Sequence, residues 1–170
     1  MIETERLLLR PSAIEDFQPI KEIYTDPEVI KHIGVGQPAS AQDSWFRLLR
    51  LIGHWTVFGY GFFTVVEKVS GRFAGLAGFA HFHRELGDDF DPFAESGWTF
   101  ATWAHGKGYA TEAATAAHQW FEANHGRQRT VCIIDHDNDP SIRVAKKLGY
   151  DLVGPRPYRD ESILVFARTP

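Results

Sequence analysis

The sequence predicts an α+β fold of mixed α/β character: a central twisted, mostly antiparallel sheet of about seven strands with flanking helices. Three observations point there. Strand-like runs recur along the whole chain. Amphipathic helical runs separate only some of them. One long helical run joins two strand-like segments, as a parallel crossover requires. The 170 residues are 44% hydrophobic and 24% charged, enough for a sizeable core. No repeat or linker divides the chain, so residues 1–170 read as one domain.

Residues 5–10, with Leu7-Leu8-Leu9, form the first strand, which Pro11 ends. Ser12 caps a helix from about Ala13, with Phe17, Ile20, Ile23 and Tyr24 at helical spacing, and Asp26-Pro27 breaks it. Val29, Ile30 and Ile33 suggest a second helical piece before Gly34 and Gly36. Residues 40–53 form an amphipathic helix with Trp45, Leu48, Leu49 and Ile52 on one face. Residues 60–67 and 72–83 pair as strands around the Ser70-Gly71 turn. An acidic loop at 85–92 precedes a strand at 95–100.

Residues 110–124 form the longest helix, apolar at Ala113, Ala114, Ala117, Trp120 and Phe121 and closed by Gly126. A β-branched strand follows at 130–134. Asp139 caps a helix with Pro140 at its first position, Ile142, Ala145 and Leu148 as its apolar stripe, and Gly149 as its stop. Two strands, 152–154 and 163–167, end the chain, with Pro155-Arg156-Pro157 between them.

Charge and cysteine content narrow the function classes. A net charge of −4 from 18 basic and 22 acidic residues argues against nucleic-acid or anionic-membrane binding. Cys132, alone, has no partner for an internal disulfide. No apolar run approaches membrane-spanning length, and the first residues do not read as a signal peptide. A soluble, cytoplasmic protein is expected. His81-x-His83 places two rings on one strand face, but no third ligand is spaced to complete a metal site, so no metal is expected.

The segment that carries chemistry is His105-Gly106-Lys107-Gly108-Tyr109-Ala110-Thr111, between a strand and the longest helix. Two glycines remove Cβ atoms where backbone must approach a ligand. The first-turn N–H groups and the helix dipole then offer a phosphate or pyrophosphate cradle. Thr111 stands where a dinucleotide fingerprint needs a third small residue, and Gly108 after Lys107 excludes a Walker-type ending.

These residues resemble a known family. Glu95-Ser96-Gly97-Trp98-Thr99-Phe100 followed by Gly106-Lys107-Gly108-Tyr109-Ala110-Thr111-Glu112-Ala113 is similar to the acetyl-CoA-binding core of GNAT N-acetyltransferases, with His105 where that motif has Gln or Arg. Asn138-Asp139-Pro140-Ser141 through Leu148-Gly149-Tyr150 resembles the family's downstream segment. The opening Thr4-Glu5-Arg6-Leu7-Leu8-Leu9-Arg10-Pro11 resembles the RimJ/RimL-like branch, the ribosomal-protein N-terminal acetyltransferases and their relatives. The resemblance implies a GNAT-like fold with a splayed strand pair. It implies transfer of an acetyl group from acetyl-CoA to a primary amine, a peptide N-terminus or a small molecule, by direct attack through a tetrahedral intermediate. A homodimer, common in relatives, stays open.

By the same resemblance, backbone groups of Trp98, Phe100 and Ala101 bind pantetheine, and His105, Gly106, Lys107, Gly108, Tyr109, Ala110 and Thr111 hold the pyrophosphate. Asn138 bonds the pantetheine arm, Arg143 reaches a CoA phosphate, Ser141 donates to the leaving thiolate, and Glu95 is the general base. Two further features bear on the acceptor. The acidic residues Glu85, Asp88, Asp89 and Asp91 suggest attraction of a cationic amine. Trp45, Trp55, Phe58 and Tyr60 either wall an acceptor pocket or pack in the core. The alternatives are a non-catalytic CoA- or acyl-CoA-binding module and a nucleotide-binding domain.

Overall fold

A computed structural model describes residues 1–33 and 36–170; Gly34, at the expected end of the second helical piece, lies outside them. An eight-stranded sheet runs through the molecule in the order β1-β2-β3-β4-β5-β6-β8-β7. The strands are β1 (Ile2–Glu3), β2 (Leu7–Pro11), β3 (Phe62–Glu67), β4 (Phe73–Ala80), β5 (Ala94–Phe100), β6 (Thr130–Ile134), β7 (Asp151–Tyr158) and β8 (Glu161–Arg168). All neighbours pair antiparallel except β5 and β6, which are parallel. The helices are α1 (Phe17–Ile23), α2 (Pro27–Ile30), α3 (Ala41–Phe58), α4 (Tyr109–His125) and α5 (Asp139–Lys147).

Strand alternation divides the core between the two faces. On one, Ile20, Ile23, Val29, Ile30 and Leu48 pack with Leu76 of β4. On the other, Leu7, Leu9, Phe63, Val65, Phe79 and Phe100 pack with Tyr109, Ala113, Ala117 and Phe121 of α4. The small residues of α4 let it lie close against the sheet. Past β6, Cys132 and Phe166 pack with Ala114, Ala145, Leu148 and Tyr150.

Several expected elements are corrected. The sheet has an eighth strand, β1, two residues long and paired with Leu8 and Leu9. β2 ends at Pro11, as expected, with Pro11 pairing with Phe63 as its last residue. Ser12 is not a cap; its hydroxyl is buried against that of Thr64 at 3.0 Å. The turn before α1 is held instead by Asp16, whose carboxylate accepts the Ala13 N–H at 2.8 Å. α3 runs past Gly53 to Phe58, because a Cβ there would meet nothing and the left-handed stop is Gly59, φ +72°. β4 ends at Ala80, short of His83. The cap of α5 is Asn138, not Asp139: its side chain accepts the Ser141 N–H at 3.2 Å. Pro155 and Pro157 lie within β7, paired with Leu164 and Ser162. They are tolerated because β7 is the sheet's outer edge.

Candidate active site

The site begins with a break in the sheet. β5 and β6 pair only at Ala94–Thr130 and Glu95–Val131; beyond that point they diverge. The β4–β5 register, with the Ala101 N–H donating to Ala74 at 2.9 Å, fixes which β5 backbone groups face β4. Antiparallel bonding alternates, so residues 95, 97, 99 and 101 bond to β4, and Ser96, Trp98 and Phe100 turn their backbone groups toward the gap. A sheet edge is thereby opened inside the molecule.

A cavity of about 770 Å³ occupies this gap. Glu95, Ser96, Gly97, Trp98 and Thr99 line it from β5, and Asn138 and Ser141 from the start of α5. The two sets of β5 side chains leave on opposite faces. Gly97 abuts Phe62, on the α1–α3 side, where a Cβ would come within 2.8 Å of the ring. Trp98 crosses to the α4–α5 side, packing against the cluster that holds Ala114, Ala145 and Tyr150 and donating its indole N–H to Ser141 Oγ at 3.3 Å. The Ser141 hydroxyl thus accepts from Trp98 and keeps its own proton for another acceptor.

The glycine turn lies at the far end of β5. Gly106 and Gly108 have φ of +74° and +80°, a conformation that only glycine adopts without strain. Nothing lies within 4 Å of a Cβ built at Gly106. Among the described residues, no protein acceptor takes the N–H groups of Gly106, Lys107, Gly108, Tyr109, Ala110 or Thr111. They stand at the open N-terminus of α4, where the helix dipole favours an anion. Tyr109 anchors the turn from below, its ring buried and its hydroxyl donating to Glu67 at 2.6 Å.

Arg6 braces the turn from outside. It donates to the Lys107 carbonyl at 2.8 Å and through Nε to Glu112 at 2.7 Å. Glu112 also accepts from Thr4 at 2.6 Å and from the Arg6 N–H at 3.0 Å. Burial works against ionisation of Glu112, but these donors hold its carboxyl below the usual value. The guanidinium cancels a charge that would otherwise repel a phosphate.

Glu95 sits at the apex of the split, in the last β5–β6 pair. It is buried, and both carboxylate oxygens meet Arg84, at 2.5 Å to Nε and 2.7 Å to Nη2. Arg84 also donates to the Tyr158 hydroxyl at 2.6 Å. Burial pushes the Glu95 carboxyl up, against the pull of the guanidinium.

Other expected residues fall differently. The Phe100 carbonyl is not free for a ligand: the His105 ring lies 2.9 Å from it through Nε2. The Phe100 N–H and the Trp98 groups keep their orientation toward the gap. Ala101 bonds back to β4. Arg143 is exposed on α5. Glu85, Asp88, Asp89 and Asp91 do not line the cavity. Asp89 is instead held by Arg156 at 2.5 Å and 2.8 Å, and Asp91 accepts the Gly87 N–H at 3.0 Å. Trp55 packs edge-on against Phe63 and Trp120, and Trp45 against Phe17, so these rings serve packing. His81 and His83 belong to no metal-ligating group among the described residues.

Sequence reasoning missed Arg84 and Arg6, and also Arg47 and Arg50, which line the cavity from α3. Only Arg6 left a trace, as part of the quoted opening motif. The others meet the site through tertiary packing that no spacing records.

The Acetyltransferase (GNAT) domain family model matches residues 6–151. The chain belongs to the GNAT acetyltransferase family. It is 26% identical over 152 residues to the Uncharacterized N-acetyltransferase p20 of Bacillus licheniformis, covering 89% of this chain and 82% of that one. An acetyltransferase from Agrobacterium tumefaciens superposes with a TM-score of 0.82 at 30% identity, covering 99% and 94% of the two chains. RimL, a ribosomal L7/L12 α-N-protein acetyltransferase solved with coenzyme A, shares the fold with a TM-score of 0.76 at 15% identity, covering 98% and 95%. This GNAT protein is accordingly an acetyl-CoA-dependent N-acetyltransferase.

Proposed function

We propose that the protein acetylates a primary amine carried by a small molecule or a peptide N-terminus, with the amine attacking the acetyl-CoA thioester directly. The observation that carries this reading is the row of unpartnered N–H groups from Gly106 to Thr111, which follows the end of the strand whose split from β6 opens the cavity. The cradle is built for a diphosphate, and the gap for an extended arm with amides.

Acetyl-CoA supplies an activated acetyl group. The chain's own residues do the rest. Gly106, Lys107, Gly108, Tyr109, Ala110 and Thr111 hold the pyrophosphate through backbone N–H groups, with Arg143 offering a further cation. The Trp98 backbone and the Phe100 N–H receive the pantetheine amides, and Asn138 adds a side-chain contact. His105 organises the turn by holding the Phe100 carbonyl.

Ser141 donates its spare hydroxyl proton to the departing sulfur. A thiol has a pKa near 8.5, so a hydrogen bond suffices. Glu95, at the apex of the split, takes the amine proton through water. An α-amino group, with a pKa of about 7.7–8.0, needs little help, which favours acceptors of that kind. Membership of the RimJ/RimL-like branch, a cytoplasmic setting, one domain over residues 1–170 and a homodimer complete the proposal.

Thiol release from acetyl-CoA with a panel of amines tests it. Turnover is expected, and Ser141→Ala lowers kcat about tenfold while leaving the acetyl-CoA KM nearly unchanged, the value of one lost hydrogen bond to a charged group. Tight CoA binding without turnover on any amine makes the protein a non-catalytic CoA-binding module.

A further inference from the structure

The cavity continues past Glu95 onto the α1–α3 face, opposite the face that carries α4 and its phosphate cradle. There α3 contributes Arg47 and Arg50 to the lining, with Tyr24, Phe62 and Phe82 as apolar wall. Neither arginine forms a salt bridge among the described residues. The Arg47 Cζ lies over the Tyr24 ring, 3.8 Å from its centroid, and its Nε is buried without an acceptor. Burial of its stem first, and then the positive charges of Arg47 and Arg84, hold the Arg50 guanidinium below its ordinary pKa.

None of the carboxylates that line the cavity forms an ion pair with Arg47 or Arg50. Glu95 is held by Arg84, and Asp135 meets His32 at 2.6 Å. Asp137, Asp160 and Glu161 come from the end of β6 and the β7–β8 turn. Asp43, one turn before Arg47, accepts from the hydroxyl of Ser40, the cap of α3. A buried guanidinium N–H with no acceptor is costly. Arg47 is half-buried and Arg50 exposed, and Asp43, the carboxylate near enough to feel the Arg47 charge, makes no ion pair with either. They lie on the face opposite α4, whose N-terminal turn is the cradle proposed for the CoA diphosphate.

We propose that Arg47 and Arg50 form an oxyanion-binding subsite, so that the acceptor is an amine bearing a carboxylate or phosphate on the same molecule. This rests on the acetyltransferase reading and narrows its acceptor. The planar guanidinium over Tyr24 presents a fixed fork of donors to such a group. A polyamine or another polycation meets instead the two arginines of α3 that form no ion pair.

The test uses amines in pairs that differ only in the anion: phenylalanine against phenylalaninamide, and O-phosphoethanolamine against ethanolamine, with spermidine as polycation. Initial rates with saturating acetyl-CoA give kcat/KM for each. The anionic member of at least one pair is expected to be favoured by about tenfold or more, the worth of a charge-assisted hydrogen bond, and the preferred pair tells carboxylate from phosphate. In the Arg47→Gln/Arg50→Gln double variant that ratio collapses toward one, and Arg50→Lys against Arg50→Gln restores part of it. Acetyl-CoA affinity, measured by calorimetry, shows that the variants are folded.

Equal kcat/KM within both pairs overturns the subsite, as does preference for spermidine or equal losses for both members in the double variant. If no amine turns over while acetyl-CoA binds, the acetyltransferase reading fails by itself. Calorimetric binding of the same pairs then decides the subsite: tighter binding of an anionic member, lost in the double variant, sustains it, and equal binding overturns it.

Discussion

His118 shows how one residue ties the core to solution pH. It is buried on α4, its Nδ1 2.7 Å from the Ala114 carbonyl and its Nε2 2.9 Å from the Tyr150 hydroxyl. Burial, against the pull of the Ala114 carbonyl, lowers its pKa to about 4. The unfolded chain binds a proton near pH 6.5 and the folded chain does not until about pH 4. Stability is therefore full above 6.5 and falls as pH drops through that window. Urea unfolding is expected to show a loss of about 2 kcal/mol from this group between pH 7 and pH 5. The His118→Gln variant should lack that part of the slope, and an identical slope in both proteins rules the account out. Arg47, Arg50 and Arg84 matter at the same scale, and here the sequence was silent. An arginine in a loop or on a helix face looks alike whether it meets solvent, a carboxylate or an empty cavity.

Among the elements, the turn leading into α4 was the most legible, because its function lies in the backbone. Glycines at 106 and 108 and an alanine-rich helix after them are enough to imply free N–H groups, and the structure leaves those groups unpartnered. Replacing Gly108 by valine forces a β-branched residue into φ +80°, at a cost of about 1–2 kcal/mol. The added Cβ meets only the end of Arg6, at 3.5 Å, so the damage is to the turn's geometry. CoA affinity by calorimetry should fall at least tenfold, the effect of about 1.4 kcal/mol, with the circular dichroism spectrum retained; undiminished affinity would falsify the cradle. Elements whose limits depend on distant pairing were harder to read. β1 is too short to carry a periodicity. The prolines of β7 look like a break until the strand is known to be an edge. Gly53 looks like a helix end until its surroundings prove empty.

Taken whole, the molecule is one sheet with an internal opening, clothed by helices on either face. The alternation of strands and helices made that architecture readable; the extent of the opening did not follow, because a lost pair of strands leaves no local mark. A ligand that bridges β5 and β6 replaces the pairing that ends at Glu95 and Val131, so it should stabilise the entire cooperative unit. At a hundredfold excess over Kd, acetyl-CoA is expected to add about 2.7 kcal/mol and raise the Tm by several degrees, read by calorimetry. ATP or NAD at equal concentration should add less; a larger shift with either would make this a nucleotide-binding domain.

The two outer margins of the sheet carry one more consequence. On one side the sheet finishes with a two-residue strand, and on the other with a strand holding two imino acids that have no amide hydrogen to give. Neither border is a good template for a neighbouring polypeptide. Extended main chain with hydrogen-bonding capacity to spare is concentrated instead at an interior seam, screened from other proteins and reserved for a guest slim enough to thread it.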